Sequence, residues 1–266
     1  MDAFLHYAFL QRALGAGLAI ALACAVLGVF LLLRKDSMIG HGLSHVTFAG
    51  VALGLLLGQA PMAMALVLAV VAALGILKLK DGGGLHGDAA IAILSSVGLA
   101  VGVILASVSG RFNVALLNYL FGDILAIEPA EVWLSVLLAG LVIGLVALNY
   151  HGFMFMTFDR DAARVAGVRV RRLDALIAVL TAVTIVLGMK VVGILLVSAL
   201  LVIPAAAGLR AGGSFRGAVA GACAVAAASV VGGLAAAYIL DWPASGTIVL
   251  AAFVLFAGSF LIRRRS

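Results

Sequence analysis

The stretch Ser37–Leu77, SMIGHGLSHVTFAGVALGLLLGQAPMAMALVLAVVAALGIL, contains 41 residues and no Lys, Arg, Asp or Glu. A bilayer core of about 30 Å requires roughly 20 helical residues, so this length predicts two membrane spans. The segment Gly58–Pro61 (GQAP) near its middle supplies the Gly and Pro that are typical of a turn. The stretch therefore predicts a helical hairpin that crosses a membrane twice.

The remainder of the chain has the same character. Apolar residues make up 65% of the 266 residues and charged residues 11%, against roughly a quarter charged in a soluble domain. In Ala175–Leu209, a tight reversal at Gly188–Gly193 would separate two helices. We therefore predict an all-α, polytopic integral membrane protein in which residues 1–266 form one transmembrane domain of about nine spans. An alternative has eight spans, with Val191–Leu209 partly re-entrant.

The basic residues predict the orientation of the chain. If the N-terminus lies outside and nine spans alternate, 14 of the 17 Lys and Arg residues fall on the cytoplasmic side. Only Arg12, Arg111 and Lys190 then remain outside. This bias predicts an N-out, C-in topology in the bilayer. The net charge of +6 follows from that topology and from anionic lipid headgroups, and gives no reason to expect a nucleic-acid partner.

Two imidazoles lie within the first charge-free stretch. His41 and His45 are four residues apart, so a helix places them on the same face. Ionisable side chains at membrane depth usually line a pathway, and imidazole is a good ligand for transition metals. Zinc prefers four ligands, which a two-fold homodimer would supply with a second pair. The alternative is structural, with both rings hydrogen-bonded to Ser44, Asp36 or backbone carbonyls.

Other patterns define what the chain does not contain. The His41–His45 spacing resembles that of zinc proteases, but Gly42 stands where their Glu base would follow the first His. No Lys is followed by Ser or Thr, so the P-loop of an ATPase is absent. We therefore expect no enzyme activity and no permanently bound cofactor. His86 and Asp88 form a weaker metal candidate, since a helix start also favours an acid there.

The segment Phe158–Gly167 (FDRDAARVAG) predicts a short cytoplasmic helix over about residues 158–168. Acids stand at its start, Arg164 follows one turn later and Gly167 stands at its end, which fits a capped helix. A small charged helix on this face suits docking to another protein. The alternative is a solvated connecting loop.

Four segments together resemble the metal-ion ABC permeases, a family with zinc, manganese and iron members. They are Ser37–Gly54, Asp159–Gly167, Val192–Ala206 with Ser198, Pro204 and Ala205, and Pro243–Gly246. The resemblance implies an importer in the bacterial cytoplasmic (inner) membrane, built from a permease homodimer and two cytoplasmic ATPase subunits, and supplied by an extracytoplasmic metal-binding protein. It also implies that the short helix couples to the ATPase through Phe158, Asp159, Arg160, Asp161, Ala163, Arg164 and Gly167.

One position departs from the family pattern. Many members read G-D-x-L-S-H, where this chain has Gly40–His45, so His41 replaces an Asp and His45 matches the family's His. Imidazole in place of a carboxylate shifts preference from Mn²⁺ toward Zn²⁺. The predicted cargo is therefore Zn²⁺, with Mn²⁺ or Fe²⁺ import as the alternative. A secondary metal/proton transporter and an intramembrane metalloenzyme are more distant alternatives.

Overall fold

The computed structural model describes residues 7–82, 87–108, 122 and 127–260. Every regular element within them is an α-helix and none is a strand, which confirms the predicted fold class. In chain order the helices are α1 (Ala8–Leu33), α2 (Ile39–Leu57), α3 (Pro61–Gly82), α4 (Gly87–Val108), α5 (Pro129–Leu148), α6 (Tyr150–Phe158), α7 (Arg160–Val165), α8 (Val170–Val192), α9 (Ile194–Ala211), α10 (Phe215–Leu240) and α11 (Ala244–Ser259).

Eight of the described helices, α1 to α5 and α8 to α10, are long and apolar enough to cross a membrane. The remaining apolar helix, α11, has 16 residues, which at about 1.5 Å per residue is shorter than a bilayer core of about 30 Å. The predicted turn after α2 is confirmed: Gly58 follows that helix with a φ of +64°, and Pro61 begins α3. The helix count therefore lies within the predicted eight to nine spans.

The predicted second helix after Ala175 is also present, but the reversal is tighter than expected. Only Gly193 separates α8 from α9, with a φ of +87° that favours glycine. A Cβ at Gly188 would lie 2.7 Å from Cγ2 of Val197, so the two helices fold back on each other across this residue. Gly188 and Lys190 belong to α8 rather than to the turn. Since α9 is continuous over 18 residues, its length fits a complete span.

The helices differ in how much of their surface the chain itself covers. In α1, 78% of the most apolar window is buried, against 28% in each of α3, α4 and α5. The central helix α1 packs against α5, α8, α9 and α10. Lipid tails are as apolar as Leu, so the exposed apolar faces of α3, α4 and α5 fit contact with lipid.

Helix α2 is held between α3 and α4 by close approaches at glycine. A Cβ on Gly42 would lie 2.7 Å from Cγ2 of Ile91, and one on Gly98 would lie 2.8 Å from Cγ2 of Val46. Small residues at such points let two helix backbones come together. The packing fixes the face of α2 that is turned away from α4.

Charged side chains mark the two ends of the bundle. At one end, buried and half-buried ion pairs connect α3, α7, α8 and the segment between α1 and α2. The residues that form these pairs, here called the ion network, are Arg34, Asp36, Lys80, Arg160 and Asp174. At the opposite end of α8, Nζ of Lys190 lies 2.5 Å from Oε1 of Glu131 at the start of α5. Residues that the sequence predicts on the same side of the membrane therefore lie at the same end of the bundle. That the ion network faces the cytoplasm stays a prediction from the basic residues.

The segment between α5 and α8 contains a helix that the sequence analysis did not predict. Helix α5 ends at Leu148, and the nine-residue α6 begins at Tyr150, before α7. The predicted short helix over 158–168 is present, but it covers only residues 160–165, and Phe158 is the last residue of α6. Asp159 has an extended backbone and Gly167 a φ of +83°, which set these narrower limits.

Candidate metal site and coupling helix

The imidazoles of His41 and His45, here called the histidine pair, lie in contact on α2. Their Nε2 atoms are 3.2 Å apart, and the ring planes cross at 85° with centroids 4.6 Å apart. The i, i+4 spacing on one helix face accounts for this proximity. Two nitrogens that bind one tetrahedral ion at about 2.05 Å each are separated by about 3.3 Å, so the spacing is suited to a shared metal ion.

Polar neighbours of the histidine pair are engaged elsewhere. The Ser44 hydroxyl donates to the Gly40 carbonyl at 2.8 Å, and the Thr47 hydroxyl donates to the Leu43 carbonyl at 2.7 Å. Asp36 forms ion pairs with Lys80 and Arg34 rather than a bond to an imidazole. A purely structural role for the imidazoles predicted hydrogen bonds to Ser44 or Asp36. The hydroxyl of Ser44 and the carboxylate of Asp36 bind other partners instead.

One face of α2 near its start is left uncovered by the chain. Met38 is 51% exposed, His41 is exposed and His45 is half-buried, and these positions follow the helical period. Within the part of the chain that the structure describes, no group of three or more His, Cys, Asp or Glu is placed to hold a metal. The exposed Asp88 at the start of α4 therefore does not join the histidine pair, and His86 lies outside the described residues.

Helix α7 is short but capped at both ends. The Asp159 carboxylate accepts hydrogen bonds from the backbone N–H groups of Asp161 at 3.1 Å and Ala162 at 2.9 Å. At the other end, the Val168 N–H donates to the Ala163 carbonyl at 2.9 Å. Local hydrogen bonds of this kind hold six residues in a helix that is too short to be stable alone.

The side chains around α7 point in two directions. Ala163 is fully buried, whereas Val165 is 91% and Phe158 65% exposed. Arg164 pairs with Asp161 at 3.1 Å on the exposed side. Two large apolar side chains beside an exposed ion pair form a surface of the kind that a protein partner covers. Sequence reasoning had not included Val165 among the coupling residues.

The ion network is the feature that sequence reasoning missed. Asp174 is 3% and Asp36 6% exposed, and each carboxylate faces cations from distant parts of the chain. Both acids stand beside Arg and Lys residues at the ends of apolar runs, where basic residues are expected as topology signals alone. A signal was present nevertheless, because an acid inside such a basic cluster requires a partner if it is buried.

Comparisons with known proteins cover almost the whole chain. The family described as the ABC 3 transport family matches residues 6–263. The manganese transport system membrane protein MntC of Listeria innocua is 32% identical over 98% of this chain and 93% of its own length. The high-affinity zinc uptake system membrane protein ZnuB of Haemophilus influenzae is 33% identical over 97% of this chain and 99% of its own length.

A solved structure shows the same fold. PsaBC from Streptococcus pneumoniae in complex with a Fab matches with a TM-score of 0.88 and 30% sequence identity, covering 99% of this chain and 95% of that chain. The agreement extends over all the helices described above, not only over the segments that carry the sequence resemblance. The chain is therefore a multi-pass membrane protein that belongs to the ABC 3 transport family.

Proposed function

We propose that the protein is the membrane-spanning subunit of an importer for a divalent transition-metal ion, with Zn²⁺ as the favoured cargo, and that a separate subunit hydrolyses the ATP. Membership of the ABC 3 transport family supports the transport role. The observation that carries the choice of a metal ion is the 3.2 Å separation of the two Nε2 atoms in the histidine pair. That spacing suits two ligands on one ion.

The histidine pair supplies half of a zinc site, and we propose that a second copy of the chain supplies the other half. Zinc prefers four ligands, and a two-fold axis beside α2 would bring two more imidazoles. The uncovered stripe of Met38, His41 and His45 supports this arrangement, because it leaves room for another α2. Binding measurements on the purified complex should then give one Zn²⁺ for every two chains.

The choice of ion rests on the chemistry of His41. Relatives of this chain are named for manganese transport and for zinc uptake, so similarity alone does not select the metal. Imidazole ligands suit Zn²⁺, whereas carboxylates suit Mn²⁺. A site of four imidazoles and no carboxylate favours Zn²⁺, and Mn²⁺ or Fe²⁺ import is the second possibility.

We further propose that α7 couples the protein to a cytoplasmic ATPase. The exposed Val165 and Phe158 support this role, since they give a partner an apolar surface to cover. Asp159 supports it as well, because its cap bonds to Asp161 and Ala162 keep the helix formed between a partner and the bundle. An extracytoplasmic metal-binding protein would deliver the ion to the opposite face.

Uptake by the reconstituted complex tests the proposal. The chain is placed in vesicles with its ATPase and metal-binding subunits, and uptake of Zn²⁺, Mn²⁺ and Fe²⁺ is measured with and without ATP. We expect ATP-dependent uptake with Zn²⁺ preferred. Uptake driven by a proton gradient without ATP would instead support the secondary transporter, for which the contact between the two imidazoles would serve as a proton path. Preference for Mn²⁺ would overturn the assignment of the cargo.

A further inference from the structure

The ion network forms a continuous connection between α7 and Asp36, in the segment before α2. Arg160 in α7 pairs with one carboxylate oxygen of Asp174, and the other oxygen accepts a hydrogen bond from Arg34. Nε of Arg34 also lies 3.8 Å from Oδ2 of Asp36. The other carboxylate oxygen of Asp36, Oδ1, pairs with Lys80. The path therefore runs from α7 through the start of α8 and the end of α1 to the start of α2.

Burial makes these pairs hard to separate. Both carboxylates are more than nine-tenths buried. Parting a buried carboxylate from its cation leaves an uncompensated charge in surroundings of low dielectric, which is much more unfavourable than parting an exposed pair. The exposed pair of Asp161 and Arg164, by contrast, lies within α7 and joins no second element. These pairs favour a joint displacement of α7, the start of α8 and the segment before α2.

Asp36 is also fixed to α2 by the backbone. Its carbonyl accepts a hydrogen bond from the N–H of Ile39, the first residue of α2, at 3.0 Å. Its own N–H donates to the Leu31 carbonyl in α1 at 2.8 Å. A displacement of Asp36 therefore changes the position of the first turn of α2, which includes His41.

We propose that Asp174 and Asp36 are positioning residues that transmit movement of α7 to the histidine pair. Binding and hydrolysis of ATP in the partner would shift α7, and the ion network would carry that shift to the end of α2 from which the metal leaves. This inference rests on the proposed coupling of α7 to an ATPase. A purely static role predicts something different: loss of stability without loss of coupling.

The test compares variants at the centre of the network and at its α7 end with a matched control. Asp174→Asn removes the central charge, and Arg160→Gln removes its partner at a position that is 38% exposed and therefore tolerates substitution better. Arg160→Lys keeps the cation. Glu131→Gln is the control, because it removes one carboxylate from an interhelical ion pair at the opposite end of α8. Each variant is reconstituted as the full complex, and the Zn²⁺ ions transported per ATP hydrolysed are counted.

Accessibility of the segment before α2 supplies the second measurement. Ser37→Cys, in a chain with Cys24→Ala and Cys223→Ala, places a reactive thiol at a half-buried position between Asp36 and α2, outside the stripe that the second copy would cover. The rate of its reaction with a membrane-impermeant maleimide is measured with and without ATP. A network that transmits movement makes this rate respond to ATP in the parent complex but not in the Asp174→Asn or Arg160→Gln variant.

We expect Asp174→Asn and Arg160→Gln to lower the number of Zn²⁺ ions transported per ATP by about tenfold, a change within the usual range of coupling between sites. Arg160→Lys and Glu131→Gln should keep the parent ratio. If Arg160→Gln folds and retains both the ratio and the ATP response of the thiol, the network is static and the proposal is wrong. Absence of ATP-dependent uptake in the parent complex would overturn the proposed function instead.

Discussion

His41 of the histidine pair and Asp36 of the ion network are five residues apart in sequence, and their polar groups are satisfied in opposite ways. Asp36 is buried and paired with Lys80 and Arg34 from its own chain. His41, in α2, is exposed, and the polar contact that the structure describes for its ring is with the imidazole of His45. Polar groups that a chain pairs internally maintain its architecture, whereas groups left to face outward are available to a ligand or to a second subunit.

The same contrast predicts that folding stability depends more on the ion network than on the histidine pair. Removing one partner of a buried ion pair leaves a charge without compensation, so it destabilises the folded state. Removing an exposed imidazole leaves no such charge. Equal losses of stability on substitution in the two regions would contradict this difference.

The largest effect on transport is expected for His45→Ala. In a two-fold dimer this substitution removes two of four nitrogens, so Zn²⁺ uptake should fall by about 100-fold or more while the melting temperature changes little. The measurement is uptake and thermal unfolding of the same preparation. His151→Ala, at an exposed position in α6, is the control and should transport normally. If His45→Ala and His41→Ala both transport Zn²⁺ at parental rates, the imidazoles are structural and His86 and Asp88 are the next candidates.

Ala163→Pro should abolish ATP-driven uptake while Zn²⁺ binding survives. Ala163 donates its N–H to the Asp159 carbonyl at 3.1 Å, and proline removes this bond inside α7 at a penalty of about 3 kcal/mol. The control is Ala130→Pro, in the first turn of α5, where proline is tolerated. Equilibrium Zn²⁺ binding and ATP-dependent uptake are compared for the two variants. Normal uptake by a well-expressed Ala163→Pro protein would assign α7 to an ordinary connection.

Lys80→Met should destabilise the protein without removing the metal site. The substitution leaves the buried carboxylate of Asp36 with only its longer contact to Arg34 among the ion pairs described for it. We therefore expect a loss of about 3 kcal/mol in the free energy of unfolding. The double variant Lys80→Met with Asp36→Leu should recover at least part of that loss, because replacing both partners by apolar groups is often nearly neutral. Denaturant unfolding in detergent measures both. A double variant less stable than the single one would show that Asp36 contributes through Arg34 instead.

The smallest effect is expected for His41→Asp. Transport should continue, and the ratio of Mn²⁺ to Zn²⁺ uptake should rise by about tenfold, because a carboxylate suits Mn²⁺ and paired imidazoles suit Zn²⁺. His41→Asn is the matched control, because the Asn side chain has nearly the shape of Asp but carries no charge. Competition uptake with both ions present gives the ratio directly. An unchanged ratio would mean that position 41 does not select the metal.

Sequence reasoning predicted the membrane class, the hairpin at Gly58–Pro61 and the short capped helix after Phe158. These features depend on local patterns, namely length, hydropathy and turn residues. It placed the reversal before α9 too broadly, because Gly188 and Lys190 resemble turn residues although only Gly193 leaves the helix. It also missed α6, since the apolar run of α5 continues past Asn149 without a change in composition.

The sequence by itself determined that the chain is a bundle of membrane helices and that two imidazoles lie one turn apart on one of them, because helical periodicity and bilayer thickness are local constraints. Only the tertiary structure decided that Arg34 pairs with Asp174, 140 residues away, and Lys80 with Asp36, 44 residues away. Apolar spans of similar composition do not specify their neighbours, so helix packing selects which charges meet. The same packing leaves His41 exposed while it buries Asp36, and this difference separates the candidate metal site from the framework that surrounds it.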